Sequence, residues 1–159
     1  MTTETKSTEN SSEVQLKKIL VPIDGSEYSL KAAKYAIKIA KDENAQLLCI
    51  HIITPRIPYG YSSSIPTMDK SHTEIKDKVQ DLFDIVRQKA KNAGLPYMKT
   101  DVFVDVKSVS ESILNYSANE DIDIIVIGTK GRTGLKRFLI GSVANAVIQH
   151  AHCPVLLVR

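Results

Sequence analysis

Apolar positions along this chain fall into two rhythms that take turns. Short runs in which apolar residues follow one another without alternating occur within 17–23 (KKILVPI), 46–53 (QLLCIHII), 122–127 (IDIIVI) and 155–158 (VLLV). Unbroken apolarity over so few residues suits a strand covered on both faces, as in a parallel sheet. Between these runs apolar residues recur at helical spacing. Leu30, Ala33, Ile37 and Ala40 share one face behind Ser26, a candidate N-cap. Ile75, Val79, Leu82, Val86 and Ala90 make a second stripe, closed by Gly94. Ser108 and Glu111 have the spacing of a capping box ahead of Ile113, Leu114 and Ser117. Val143, Ala146 and Val147 mark a last helix over 142–150. Residues 97–106 alternate instead, with Val102, Val104 and Val106 in step, which predicts a strand with one wetter face.

The predicted order is β-α-β-α-β-α-β-α-β. Strands alternating with helices imply right-handed crossovers and a parallel sheet. The expectation is a three-layer α/β/α sandwich around five parallel strands. Residues 54–71 interrupt the rhythm with Pro55, Pro58, Gly60, Pro66, Tyr59 and Tyr61, and are predicted to be a long loop. Residues 1–14 hold too few apolar groups to offset ordering entropy and read as a disordered polar tail without the apolar stretch of a signal peptide.

Composition narrows the picture. A chain of 159 residues has room for one sizeable core. Its 21 basic and 18 acidic residues leave a net charge of +3, too slight to argue for a nucleic-acid surface. No apolar run approaches the ~20 residues that span a bilayer. Cys49 and Cys153 form no C-x-x-C pair, so zinc and redox motifs lack support, while a disulfide between the two stays open. The expectation is a cytoplasmic protein with reduced thiols.

Open parallel sheets bind ligands beyond the carboxyl ends of their strands. The sharpest feature there follows the fourth strand. Four of the 7 glycines (128, 131, 134 and 141) fall within fourteen positions. Lys130, Arg132, Lys136 and Arg137 lie among them, with no acidic residue. Glycines let backbone N–H groups close on an anion, and Gly141-Ser142 opens a helix whose N-terminus adds further free N–H groups. The physical reading is a phosphate site; the bland one is a shaped surface loop. The segment lacks G-x-x-x-x-G-K-[ST], and it is not the dinucleotide fingerprint after a first strand. Elsewhere, His51 reads as a satisfied core histidine. His72, His150 and His152 lack metal spacing. Asp121 and Asp123 read as solvated residues leading into the fourth strand. No nucleophile elbow or paired carboxylate appears.

Gly128-x2-Gly131, nine residues and then Gly141-Ser142 resembles the G-x2-G-x9-G-[ST] motif of ATP-binding universal stress proteins. Ile19 to Ser26 (ILVPIDGS) resembles that family's first strand and turn, and Gly141 to Val158 resembles its ending. The resemblance runs from about residue 16 to the end, so 15–159 reads as one universal stress protein domain behind the tail. It implies the strand order 3-2-1-4-5 of the adenine nucleotide alpha-hydrolase-like fold. It implies that Asp24 contacts the ribose or the metal–phosphate region and that Pro22 and Ile23 shape the adenosine pocket. Ile52 corresponds to the residue whose backbone pairs with adenine. Ile127 and Gly128 line the pocket, and Gly131, Gly141, Ser142 and Val143 correspond to the phosphate-binding set. Lys130 stands at a variable position, where its charge suits a phosphate or solvent equally. The sequence departs from the family at Lys107-Ser108-Val109, where many members have a glycine.

No protein cluster offers three metal ligands, so Mg or Mn is expected only through ATP phosphates. The short apolar last strand at the sheet edge predicts a homodimer through it, and the resemblance points to the same dimer. Three functions compete: a nucleotide-dependent regulatory module read by a protein partner, a slow ATPase with Asp24 as the sole candidate to orient water, and a nucleotide-independent protective scaffold.

Overall fold

The computed structural model describes residues 14–54, 69–105, 108–131 and 139–159, with side chains from 75 onward in the second helix. Residues 1–13 of the tail, Tyr59 and Tyr61, Val106 and Lys107, and Arg132, Gly134, Lys136 and Arg137 lie outside the described residues, as does the His72 side chain.

Nine elements follow one another: β1 (Lys18–Pro22), α1 (Glu27–Asp42), β2 (Gln46–Ile53), α2 (Asp69–Asn92), β3 (Lys99–Val104), α3 (Val109–Asn119), β4 (Ile124–Gly128), α4 (Ser142–His150) and β5 (Val155–Val158). The strands form one parallel sheet in the order β3-β2-β1-β4-β5.

Burial explains the unbroken apolar runs. In β1, Ile19 and Val21 join a core with α1 and α2, while Leu20 faces a second core with α3 and α4. In β2, Leu47 and Cys49 serve the first core and Leu48 and Ile50 the second. Both faces of a central strand are therefore buried along its middle, and alternation disappears there.

Local signals fix the helix ends. The Ser26 hydroxyl accepts the Ser29 N–H at 3.2 Å and caps α1. The Ser108 hydroxyl accepts the Glu111 N–H at 3.3 Å and caps α3. Such caps contribute ~1 kcal/mol each. Gly94 takes φ +86° just past α2, a conformation that a Cβ disfavours.

Some expectations change. α2 starts at Asp69, inside the predicted loop, because a helix can open on polar residues before its apolar stripe begins. That stripe starts at Val79, since Ile75 is exposed. β4 starts at Ile124; Ile122 is buried in the core but lies in the connection before the strand. In α4, Ala144 rather than Ala146 is buried beside Val147. In β3 the alternating valines face outward, with Val104 64% exposed, and the residue between them, Phe103, packs edge-on against Tyr116. Period-two patterning marks two faces but does not say which one meets the core.

Asp123 is not simply solvated. Its Oδ2 accepts the N–H groups of Lys17 and Lys18 at 2.7 and 2.8 Å, pinning the start of β1 beside β4. Both cysteines are free thiols, and burial pushes the Cys49 thiol well above its ordinary pKa.

Candidate functional site

Between the diverging ends of β1 and β4 lies a cavity of about 680 Å³, mouth included. All eleven residues singled out from the sequence line it: Pro22, Ile23, Asp24, Ile52, Ile127, Gly128, Lys130, Gly131, Gly141, Ser142 and Val143. Ser29, Val109, Ile113 and Ala144 line it as well.

The walls divide by chemistry. Ile23, Ile52, Val109, Ile113 and Ile127 make an aliphatic end. Asp24, Ser29, Lys130, Gly131, Gly141 and Ser142 make a polar one. Val109 and Ile113 come from the first turns of α3, a helix that lies far from the glycine motif in sequence.

Asp24 is held in a tight turn. Its Oδ1 accepts the Ser26 N–H at 2.9 Å, and its own N–H donates to the Ser29 hydroxyl at 3.3 Å. Gly25 supplies the required φ of +84°. The carboxylate then lies against the glycine loop: a Cβ at Gly131 would stand 2.8 Å from Asp24 Oδ2.

Each motif glycine has a distinct physical task. A Cβ at Gly128 would lie 2.7 Å from the Tyr28 carbonyl carbon, so this glycine lets α1 close on the end of β4. A Cβ at Gly141 would meet the Thr129 carbonyl oxygen at 3.3 Å and Lys130 Cα at 3.5 Å. The Gly141 N–H itself donates to that Thr129 oxygen at 2.7 Å, which ties the two ends of the loop together. Gly141 is also the N-cap residue of α4, and α4 has no side-chain cap, unlike α1 and α3. Its first residues, Ser142, Val143 and Ala144, open onto the cavity. An uncapped helix start offers N–H donors and the positive end of the helix dipole.

Lys130 is anchored at both ends. Its carbonyl accepts the Ser26 hydroxyl at 3.4 Å, and its ammonium lies 6.0 Å from the centroid of the Tyr28 ring. His51 is 5% exposed, and its Nδ1 bonds the Ile23 carbonyl at 2.7 Å, as a satisfied core histidine should. Among the described residues, no group of three or more His, Cys, Asp or Glu side chains could hold a metal ion, and no helix is long and apolar enough to cross a membrane.

The model of the universal stress protein family matches residues 15–159, with the glycine loop and the Asp24 turn inside the match. The chain belongs to the universal stress protein family. A universal stress protein of Methanocaldococcus jannaschii is 36% identical over 143 residues, which cover 90% of this chain and 82% of that one. The solved universal stress protein UspA from Lactobacillus plantarum superposes with a TM-score of 0.75 at 25% identity, covering 92% of this chain and 99% of the other. Two more distant solved members share the fold. One, in complex with cAMP, has a TM-score of 0.66 at 22% identity and covers 92% of this chain and 98% of its own. The other, from Archaeoglobus fulgidus in complex with dAMP, has a TM-score of 0.63 at 20% identity and covers 92% and 100%.

Sequence reasoning missed four wall residues. Ser29 carried a usable signal, since it lies one helical turn past the Ser26 cap. Ile113 read as a core position of a short helix, and Val109, Ile113 and Ala144 become walls only through the packing of α3 and α4.

Proposed function

We propose that this universal stress protein binds ATP in the cavity and acts as a nucleotide-dependent regulatory module of the cytoplasm. The observation that carries the reading is the uncapped start of α4 facing the same space as Gly131 and the Asp24 turn. Backbone donors without an obstructing Cβ, beside a helix N-terminus, suit phosphate oxygens. The Ser142 hydroxyl and Lys130 add polar partners, and the aliphatic end suits a nucleoside. Family members solved with cAMP and dAMP support an adenine nucleotide as the ligand class. Mg or Mn would enter with the nucleotide, through its phosphates, because divalent cations of this kind favour phosphate and water ligands.

The same reading includes a homodimer through β5. That strand ends the sheet, Val155 and Leu157 are half-buried, and Ile148 lies exposed on α4, which packs beside it. An apolar edge of this kind invites pairing with a second copy, and two-fold symmetry is the common solution.

Calorimetric titration of purified protein with ATP and Mg, with mass analysis of any co-purifying nucleotide, tests the site. Saturable one-to-one binding per chain is expected; no heat with ATP, ADP, AMP or cAMP, and no bound nucleotide, would refute it. Light scattering tests the dimer. The wild type is expected at twice the chain mass and Leu157→Asp as monomer or insoluble protein; a wild-type monomer at micromolar concentration refutes it. A slower second activity, ATP hydrolysis, rests on Asp24, the one carboxylate among the described residues that line the cavity. A turnover assay with Asp24→Asn separates hydrolysis from binding alone.

A further inference from the structure

The ladder between β1 and β2 stops one rung before the strands separate. The Ile23 N–H donates to the Ile50 carbonyl at 2.9 Å, and the paired register ends at Pro22 and Ile50. In a parallel ladder the next rung would run from the Ile52 N–H to the Ile23 carbonyl. That rung is not made, and Ile23 lies outside β1. The Ile23 carbonyl instead meets Nδ1 of His51 at 2.7 Å. A carbonyl only accepts, so the ring nitrogen carries the proton.

The direction of the Ile52 backbone follows from the same alternation. Ile53 turns its carbonyl toward β3, where it accepts the Asp105 N–H at 3.0 Å. Ile52 therefore turns its N–H and C=O the other way, past the end of β1 and into the cavity that Ile23 and Ile52 both line.

We propose that His51 is a positioning residue of this cavity, and the proposal rests on the nucleotide reading above. Its imidazole holds the Ile23 carbonyl away from the Ile52 N–H. The Ile52 N–H and C=O thereby stay open to a planar heterocycle that presents an acceptor beside a donor, as an adenine edge does. His51 touches no ligand itself; it keeps the sheet from closing on its own edge.

The test combines amide hydrogen exchange with titration. His51→Leu removes the donor and keeps an apolar side chain, while His51→Asn keeps an N–H donor. In ligand-free His51→Leu the missing rung can form, so exchange at the Ile52 amide should slow by about tenfold. Adenosine and ATP should weaken by the same factor, about tenfold, because the loss is at the base end. His51→Asn should fall between His51→Leu and wild type in both measurements. General loosening would speed exchange along β1 and β2, the opposite sign. Unchanged or faster Ile52 exchange in folded His51→Leu overturns the proposal. If that variant does not fold, the wild type decides. Its Ile52 amide should exchange faster than that of Ile50 and become protected by adenosine, and equal protection of the two amides overturns the assignment. A wild type that binds neither adenosine nor ATP, with Ile52 slowed in His51→Leu, refutes the nucleotide reading and leaves the ladder assignment standing.

Discussion

Replacing Gly131 by alanine puts one methyl group where the glycine loop faces Asp24. The new Cβ would stand 2.8 Å from Asp24 Oδ2, whereas ordinary contact begins at 3.4 Å, so about 0.6 Å (3.4 less 2.8) must be found. The carboxylate must move, because Gly131 Cβ is fixed to backbone and Asp24 Oδ2 is the end of a short side chain. Its other oxygen accepts the Ser26 N–H at 2.9 Å. Weakening that bond costs about 1 kcal/mol at most, a fall in Tm of about 2–4 °C. The effect on ligand is larger. A phosphate that loses one charge-assisted backbone contact loses about 1.5–3 kcal/mol, or roughly 10- to 100-fold in affinity. Adenosine has no phosphate and should lose less affinity than ATP in Gly131→Ala, its loss confined to any ribose contact of the displaced Asp24. Calorimetric titration with ATP and with adenosine, alongside thermal unfolding, measures all three quantities. Unchanged ATP affinity in the folded variant, or an equal loss for adenosine, would refute the phosphate role of this loop.

Gly128→Ala is expected to act on the fold instead. Its Cβ would press on Tyr28 backbone at 2.7 Å, an overpacking cost of about 1–3 kcal/mol that thermal unfolding should register as several degrees. Asp123→Ala strips the acceptor from the Lys17 and Lys18 N–H groups, and chemical denaturation should show a loss of about 1–2 kcal/mol, partly restored in Asp123→Asn. The protein should also lose stability in alkali. The hydrogen bond to Glu120 raises the Lys99 pKa above its ordinary 10.5, and burial followed by the bond to Asp101 raises that of Tyr116 above 10.0. The folded state then holds protons that the unfolded chain releases, so this stabilisation is complete below about pH 10 and declines as pH rises further. Denaturant midpoints across pH 8 to about 11 should fall more steeply in wild type than in Tyr116→Phe, and parallel curves would sink this assignment.

The fold was legible because its central strands announce themselves. Runs such as Leu47-Leu48-Cys49-Ile50 can be unbroken only where two helix layers cover both faces, and Ser26 and Ser108 mark the helices that follow. The edge was less legible. Val102 and Val104 form an apolar row, yet β3 ends the sheet and Phe103 takes the buried side. At the site, the glycine spacing and the Asp24 turn were readable as local chemistry. The α3 wall was not, since Val109 and Ile113 meet the cavity only after two crossovers. Nor could spacing reveal that Gly128 answers to the backbone of α1, or that Asp123 holds the first strand.

The Ser26 hydroxyl belongs to two structures at once. It accepts the Ser29 N–H that starts α1, and it donates to the Lys130 carbonyl across the cavity's rim. The glycine loop therefore has its mooring on the first turn of a helix whose far end reaches Asp42, on the opposite side of the sheet from α4. Any displacement of Lys130 away from Ser26 must lengthen that bond or drag the cap with it. The amide of Ser29 thus becomes a gauge of loop position, readable by a single chemical shift without a label on the loop.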